Sequence, residues 1–158
     1  MEVDAAARRM LLADDTVRGY VIDKVYRDRL GEPLEGTGGR ALVIVRGPGW
    51  AGPSRQQPTR FPTLITKSYA DPDRDEQGDI AVANAADKAY ALDGVLNRLL
   101  HNVQEAYWGA KGLNPGRLII SSYRASEPVK VEQGQAHAGG EQLGELVLVR
   151  SVWQIETV

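Results

Sequence analysis

The sequence predicts an α+β fold in two layers: a mostly antiparallel sheet with an N-terminal helix and one long helix packed on one of its faces. Three observations carry this expectation. A stripe of apolar residues at helical spacing runs through residues 79–104. Alternating or continuous apolar runs at 40–46, 60–70, 117–123 and 144–158 have the pattern of strands. Segments rich in glycine and proline separate them. The order is helix, strands, long helix, strands, with no internal repeat and no break in composition. The 158 residues therefore read as a single domain, long enough to bury a real core.

Residues 2–13 are expected to be helical. Val3, Ala6, Met10 and Ala13 recur at spacings of three and four, with Ala7 and Leu11 beside them and Arg8 and Arg9 on the other face. Asp14-Asp15-Thr16 stops that helix or caps a short next turn. Val17 to Ile22 is apolar enough to pack, and Val25-Tyr26 suggests a short strand. Gly31 to Gly39 holds four Gly and one Pro and reads as a loop. Arg40 to Arg46 is a strand whose continuous apolar run implies burial on both faces or a central place in the sheet. Gly47 to Thr59, with three Pro and three Gly, is expected to be a long extended arm without regular structure. Segments of that length inside a domain usually serve a function or are disordered. Arg60 to Ala70 returns as a strand, with Phe61, Thr63, Ile65, Lys67 and Tyr69 on one side and Leu64, Thr66 and Ser68 on the other.

The stripe Val82, Ala85, Ala89, Leu92, Leu96, Leu99, Val103 is spaced 3, 4, 3, 4, 3, 4. It predicts one helix of ~25 residues, roughly 37 Å long at 1.5 Å per residue. Asp79, after Gly78, is its expected N-cap. Alanines at its start would let it approach the sheet closely, and leucines at its end would fill a wider gap. Trp108 to Gly116 reads as a loop, Arg117 to Tyr123 as a strand, and Val129 to Gly140 as a polar Gly-rich segment. Gly144 to Val158 closes the chain as a long strand in which Trp153 belongs to the core.

Several function classes find little support. The formal net charge is −2, from 19 Lys+Arg against 21 Asp+Glu, without the basic excess of a dedicated nucleic-acid binder. No cysteine is present, which removes disulfides, thiolate metal sites and Cys nucleophiles. The longest apolar run, Ala41 to Val45, is far short of the ~20 residues of a membrane span. The acidic stretch from Asp71 to Asp79 resembles the opening of a calcium loop. However, Glu76 stands where such a loop needs glycine and Val82 where it needs a bidentate Glu. It reads instead as a solvated loop beside the positive end of the next helix. His101 and His137 have no spaced partner. Gly36-Thr37-Gly38-Gly39 precedes a strand, the reverse of a phosphate loop, and no Gly-x-Ser-x-Gly elbow occurs. The expectation is a protein that is not an enzyme, with no cofactor and no metal. Trp50 and Trp108 stand in Gly/Pro-rich loops near Arg55, Arg60 and Lys111. They are local packing anchors or, with those cations, anchors of a subunit or partner interface.

The order of parts carries a resemblance. The first helix ends in Leu11-Leu12-Ala13-Asp14-Asp15-Thr16-Val17, followed by a short segment at Val25-Tyr26. A strand pair follows whose second member runs Thr63-Leu64-Ile65-Thr66-Lys67-Ser68-Tyr69-Ala70, then a long helix ending Val95-Leu96-Asn97-Arg98-Leu99-Leu100. The closing strands include Tyr123-Arg124-Ala125-Ser126-Glu127-Pro128 and Val149-Arg150-Ser151-Val152-Trp153-Gln154-Ile155. Over nearly its whole length the chain resembles the tail-terminator proteins of long-tailed bacteriophages, also known as tail-completion or minor tail proteins. The resemblance implies a structural virion protein forming a homo-oligomeric ring, typically a hexamer, that caps the head-proximal end of the tail tube and joins it to the neck. It implies contacts with the tail tube protein and a head–tail connector or stopper protein, and assembly in the bacterial host cytoplasm without a membrane partner. Genome DNA would pass through the lumen without specific binding, as the mild negative charge allows. Two other readings stand beside it: a head-completion or stopper protein of the neck, and a small metal-dependent enzyme using the 71–79 loop. The long helix favours the terminator, because stoppers tend to be shorter and richer in strand.

Overall fold

The computed structural model describes residues 3–50, 61–101, 103–104, 119–132 and 143–157. The chain opens with helix α1 (Val3–Ala13), whose Ala6, Ala7, Met10 and Leu11 are fully buried. Asp14 caps the next helix, α2 (Asp15–Val21), by accepting hydrogen bonds from the Thr16 and Val17 amides at 3.0 and 3.1 Å. Of the segment expected to pack, Val17 and Val21 do so, but Ile22 is 71% exposed. Ile22 ends α2 at φ 60°, ψ −104°, a conformation costly for a β-branched residue. Ile22→Gly is therefore expected to stabilise the protein by about 1 kcal/mol: relief of about 1–3 kcal/mol of strain, less about 0.4–1 kcal/mol for the freer unfolded chain. Thermal melting checks it; a lower Tm would mean the position is not strained.

The main sheet has the order β1-β2-β3-β9-β7-β6. Strand β1 (Val25–Arg27) lies parallel to β2 (Arg40–Trp50). Every other pairing on the path is antiparallel: β2 with β3 (Phe61–Ala70), β3 with β9 (Val147–Thr157), β9 with β7 (Ile119–Arg124), and β7 with β6 (Val103–Gln104). A short strand, β8 (Val129–Val131), also pairs β9, so the segment read as merely polar and Gly-rich begins inside the sheet. Two small strands, β4 (Asp73–Arg74) and β5 (Ile80–Val82), form a separate hairpin ahead of helix α3 (Ala85–Leu100).

Among the described residues, helices α1, α2 and α3 cover one face of the sheet. Leu42, Ile44, Leu64, Trp153 and Ile155 pack there against α1, α2 and the Leu92, Val95, Leu96 and Leu100 side chains of α3. The two-layer α+β expectation is met, with α2 added to the helical layer. The opposite face has its own smaller core, where Ala41, Val43, Tyr69 and Leu148 meet Leu34, Leu143 and Leu146 from the connecting segments. This explains why Ala41 to Ile44 is apolar without alternation: β2 is covered on both sides.

Expected boundaries move in β2 and at both ends of α3. Strand β2 continues to Trp50, past the point where Gly47 and Pro48 suggested its end. The pairing shifts register between Arg46 and Gly49, a bulge at which Pro48, lacking an N–H, makes no paired position. Helix α3 has 16 residues and runs neither from Asp79 nor to Val103. Asp79 closes a turn in which the Asp75 carboxylate accepts from the Gln77 and Asp79 amides, with Gly78 at φ 85°. Val82 belongs to β5 and is 53% exposed; it falls three residues before Ala85 by strand geometry, not as a helical neighbour. Val103 has already entered β6. The stripe holds within α3, where Ala89 packs close to Ala70 and Val149 of the sheet.

Candidate interaction surfaces

The acidic stretch turns mostly inward at its start. Asp71 is fully buried and accepts from the Gly38 amide at 2.7 Å and from Arg74 Nε at 2.7 Å and Nη2 at 3.1 Å. Burial pushes the Asp71 carboxyl up, but the hydrogen bonds from Arg74, Gly38 and Gly36 and the charge of Arg74 outweigh it and hold the group below its ordinary value. Arg74 also reaches Glu145 and donates to the Gly78 carbonyl at 2.9 Å. Lys88, on the buried side of α3, donates to the Gly38 carbonyl (2.6 Å), the Asp71 carbonyl (2.8 Å) and the Asp73 carboxylate (2.8 Å). Asn84 adds two bonds with Asp73, of 3.0 and 2.8 Å. The Lys88 hydrogen bond, with Asn84 and the Lys88 charge, holds the Asp73 carboxyl below its ordinary value. The expected solvated loop is thus a clamp at Asp71 and Asp73, and solvated at Asp75, Glu76 and Asp79, which are exposed. Asp71 and Asp73, two of the alternate acids that gave the stretch its likeness to a calcium loop, are thus engaged by Arg74 and Lys88. Among the described residues, no group of three or more His, Cys, Asp or Glu is placed to hold a metal ion.

A second cluster joins α3 to the sheet. Arg124 donates to Asp93 (2.9 Å), Ser151 (2.7 Å) and Asn97 (2.9 Å), and its guanidinium lies 4.5 Å from the Trp153 ring centroid. The Ser151 hydroxyl donates to Asp93 at 2.5 Å, and the Trp153 indole N–H to Thr66 at 2.8 Å. Trp153 is fully buried, as its place in the alternation implied. His101, just past α3, accepts the Arg124 amide through Nδ1 at 3.0 Å. Apart from the exposed His101, these groups are partly or fully buried and bonded to one another, so this is a structural lock.

The outer surface offers other features. A recess of about 600 Å³ is lined by Arg8, Tyr26, Arg27, Arg29, Leu30 and Gly31, at the β1 edge of the sheet. Arg8 reaches it from α1, with its Nε donating to the Val25 carbonyl at 2.7 Å. Arg27 pairs with the buried Asp4 of α1 at 2.6 Å. Burial, with Glu32 and Asp23 nearby, pushes the Tyr26 hydroxyl up. A Cβ on Gly31 would lie 2.6 Å from the Tyr26 ring, so only glycine lets the backbone lie against it.

Of the interface residues named from the sequence, Trp50 has its backbone at the end of β2, paired with Phe61. Its side chain lies outside the described residues, as do Arg55, Arg60, Trp108, Lys111 and His137. The described surface residues missed by the sequence reading are Arg8, Arg27 and Arg29. Arg27 ends β1 and Arg29 follows just past it, but Arg8 comes from α1, and no local spacing joins it to them. Among the described residues, no helix is long and apolar enough to cross a membrane.

The architecture is that of a two-layer α+β protein with its helices on one face. It is similar to a chain of a solved structure described as "Virion of native gene transfer agent (GTA) particle", with a TM-score of 0.60 and 14% sequence identity, covering 98% of this chain and 93% of that one. No protein-family model and no curated protein matches the sequence.

Proposed function

We propose that this chain is a structural virion protein, a ring-forming tail terminator that caps the head-proximal end of a phage tail tube and joins it to the neck. The observation that supports it is the whole-chain likeness of fold to a component described as part of a virion particle. The sequence resemblance reaches the same class from the order of elements. In this reading residues 1–158 form one domain, and the part of the expected 47–59 arm that follows β2 reaches a neighbouring subunit. The ring, of six copies, meets the tube protein on one side and a stopper or connector on the other. DNA passes through the lumen without specific binding, and assembly takes place in the host cytoplasm. The role needs no cofactor and no catalysis.

A head-completion or stopper ring is the second reading. Helix length no longer separates the two, because α3 has 16 residues. Electron microscopy of lysates from a phage carrying a nonsense mutation in this gene separates them. Overlong tails of variable length beside DNA-filled heads are expected for a terminator. Free tails of normal length with heads that leak DNA would assign the stopper role, and intact infectious virions would overturn both.

A further inference from the structure

We infer that the arginine recess at the β1 edge takes the tip of the β4–β5 hairpin from a second copy of this chain, as the head-to-tail contact of a ring. The inference rests on the ring reading above and names the two surfaces that meet.

The hairpin tip carries Asp75, Glu76 and Asp79, all exposed and none in an ion pair among the described residues. Ile80 (45% exposed) and Val82 (53% exposed) lie beside it, both large apolar residues left to solvent. The recess opposes this with three guanidinium groups, Arg8, Arg27 and Arg29, over the apolar bodies of Tyr26 and Leu30. Arg27 already neutralises Asp4, while Arg29 is exposed and forms none of the ion pairs found. Guanidinium forks suit carboxylates in geometry as well as charge. Knob and recess therefore match in both respects: acids with an apolar flank against cations with an apolar floor.

The hairpin is also preorganised. Asp75 fixes its turn, Arg74 ties it to Gly78 and Asp71, and Lys88 anchors its root to α3. A rigid tip spends little ordering entropy on binding. Within one chain these ties of the hairpin root run to Gly38, Lys88 and Glu145, none of which lines the recess. Two different patches meeting between copies make a heterologous contact, the kind that closes into a ring when the rotation permits.

The absence of cysteine gives a clean test on the full chain. The double variant Arg29→Cys with Glu76→Cys, mildly oxidised, should give a ladder of disulfide-linked oligomers, while either single variant gives at most dimers. In parallel, Arg29→Glu and Glu76→Arg should each weaken self-assembly about tenfold or more, and the two together should recover most of it. The reversed pair separates this contact from general misfolding, since two destabilising changes would not repair each other. Rings seen by electron microscopy without the 29–76 ladder and without charge-swap rescue would overturn this contact and leave the ring. A chain that stays monomeric even on tails would overturn the ring as well. Loss of binding to a DNA duplex in Arg29→Glu, with assembly unchanged, would replace the hairpin by a phosphate backbone.

Discussion

Asp93→Ala will destabilise the protein by about 3–5 kcal/mol, the usual cost of removing one member of a buried ion pair. The Asp93 side chain is 5% exposed and that of Arg124 15%, and they meet at 2.9 Å. Without Asp93, the Arg124 charge stays in the wall of the core against Trp153, with only neutral acceptors at Asn97 and Ser151. The Ser151 hydroxyl also loses its acceptor. A lone buried charge is costly because the solvation it gave up on folding is no longer offset. The measurement is urea denaturation: the midpoint should fall while the slope stays the same, since the folded core remains. Adding Arg124→Met to Asp93→Ala should recover part of the loss, because a packed apolar pair does not carry the stranded charge. A single-variant loss under about 1 kcal/mol would show that water reaches Arg124 and screens it.

The sequence announced the frame of this lock but not the lock. Trp153 alternates with apolar residues along β9, so its burial was legible. So was the two-sided burial of β2, because four consecutive buried residues leave no polar face. Asp93 and Arg124 are 31 residues apart and meet only because β7 lies next to β9 under α3. No local pattern encodes that adjacency. A weak signal did exist: Lys88 and Asp93 fall among the buried positions of α3, beside Ala89, Leu92 and Leu96. A charge inside an apolar stripe requires a partner across the layer, though the stripe alone cannot name it. The start of α3 was misplaced for a related reason. Val82 keeps helical phase with Ala85, and the features that end the hairpin, Asn84 with Asp73 and Arg74 with Gly78, are contacts across a turn rather than spacings along a face. The arginine recess was illegible for the same cause, since Arg8 and Arg27 are brought together only by packing α1 against β1.

The second large effect is a pH effect, centred on Asp71. Its carboxyl is held below its ordinary value in the folded state, so in the range between the folded and unfolded values the unfolded chain binds more protons. Stability from this group is therefore fully present above the unfolded value of about 4 and is lost as pH falls through the folded value below it. Asp73 is depressed as well and acts in the same direction and the same window. Protonating Asp71 would take away the charge that holds Arg74, and Arg74 in turn holds Gly78 and Glu145. The hairpin should accordingly loosen in acid before the main sheet does. Asp71→Asn should cost on the order of 3 kcal/mol at pH 7, because it leaves the side chain of Arg74, 11% exposed, without its principal counter-charge. The same variant should also flatten the acid limb of the stability profile, since the titrating group is gone. Urea midpoints taken from pH 7 down to about pH 2.5 check both parts. If Asp71→Asn lowers stability equally at every pH, the acid sensitivity belongs to other carboxylates and the Asp71–Arg74 pair contributes packing rather than charge. If the variant matches the parent at pH 7 as well, the clamp does not hold the hairpin, and a preorganised tip could no longer be argued from it.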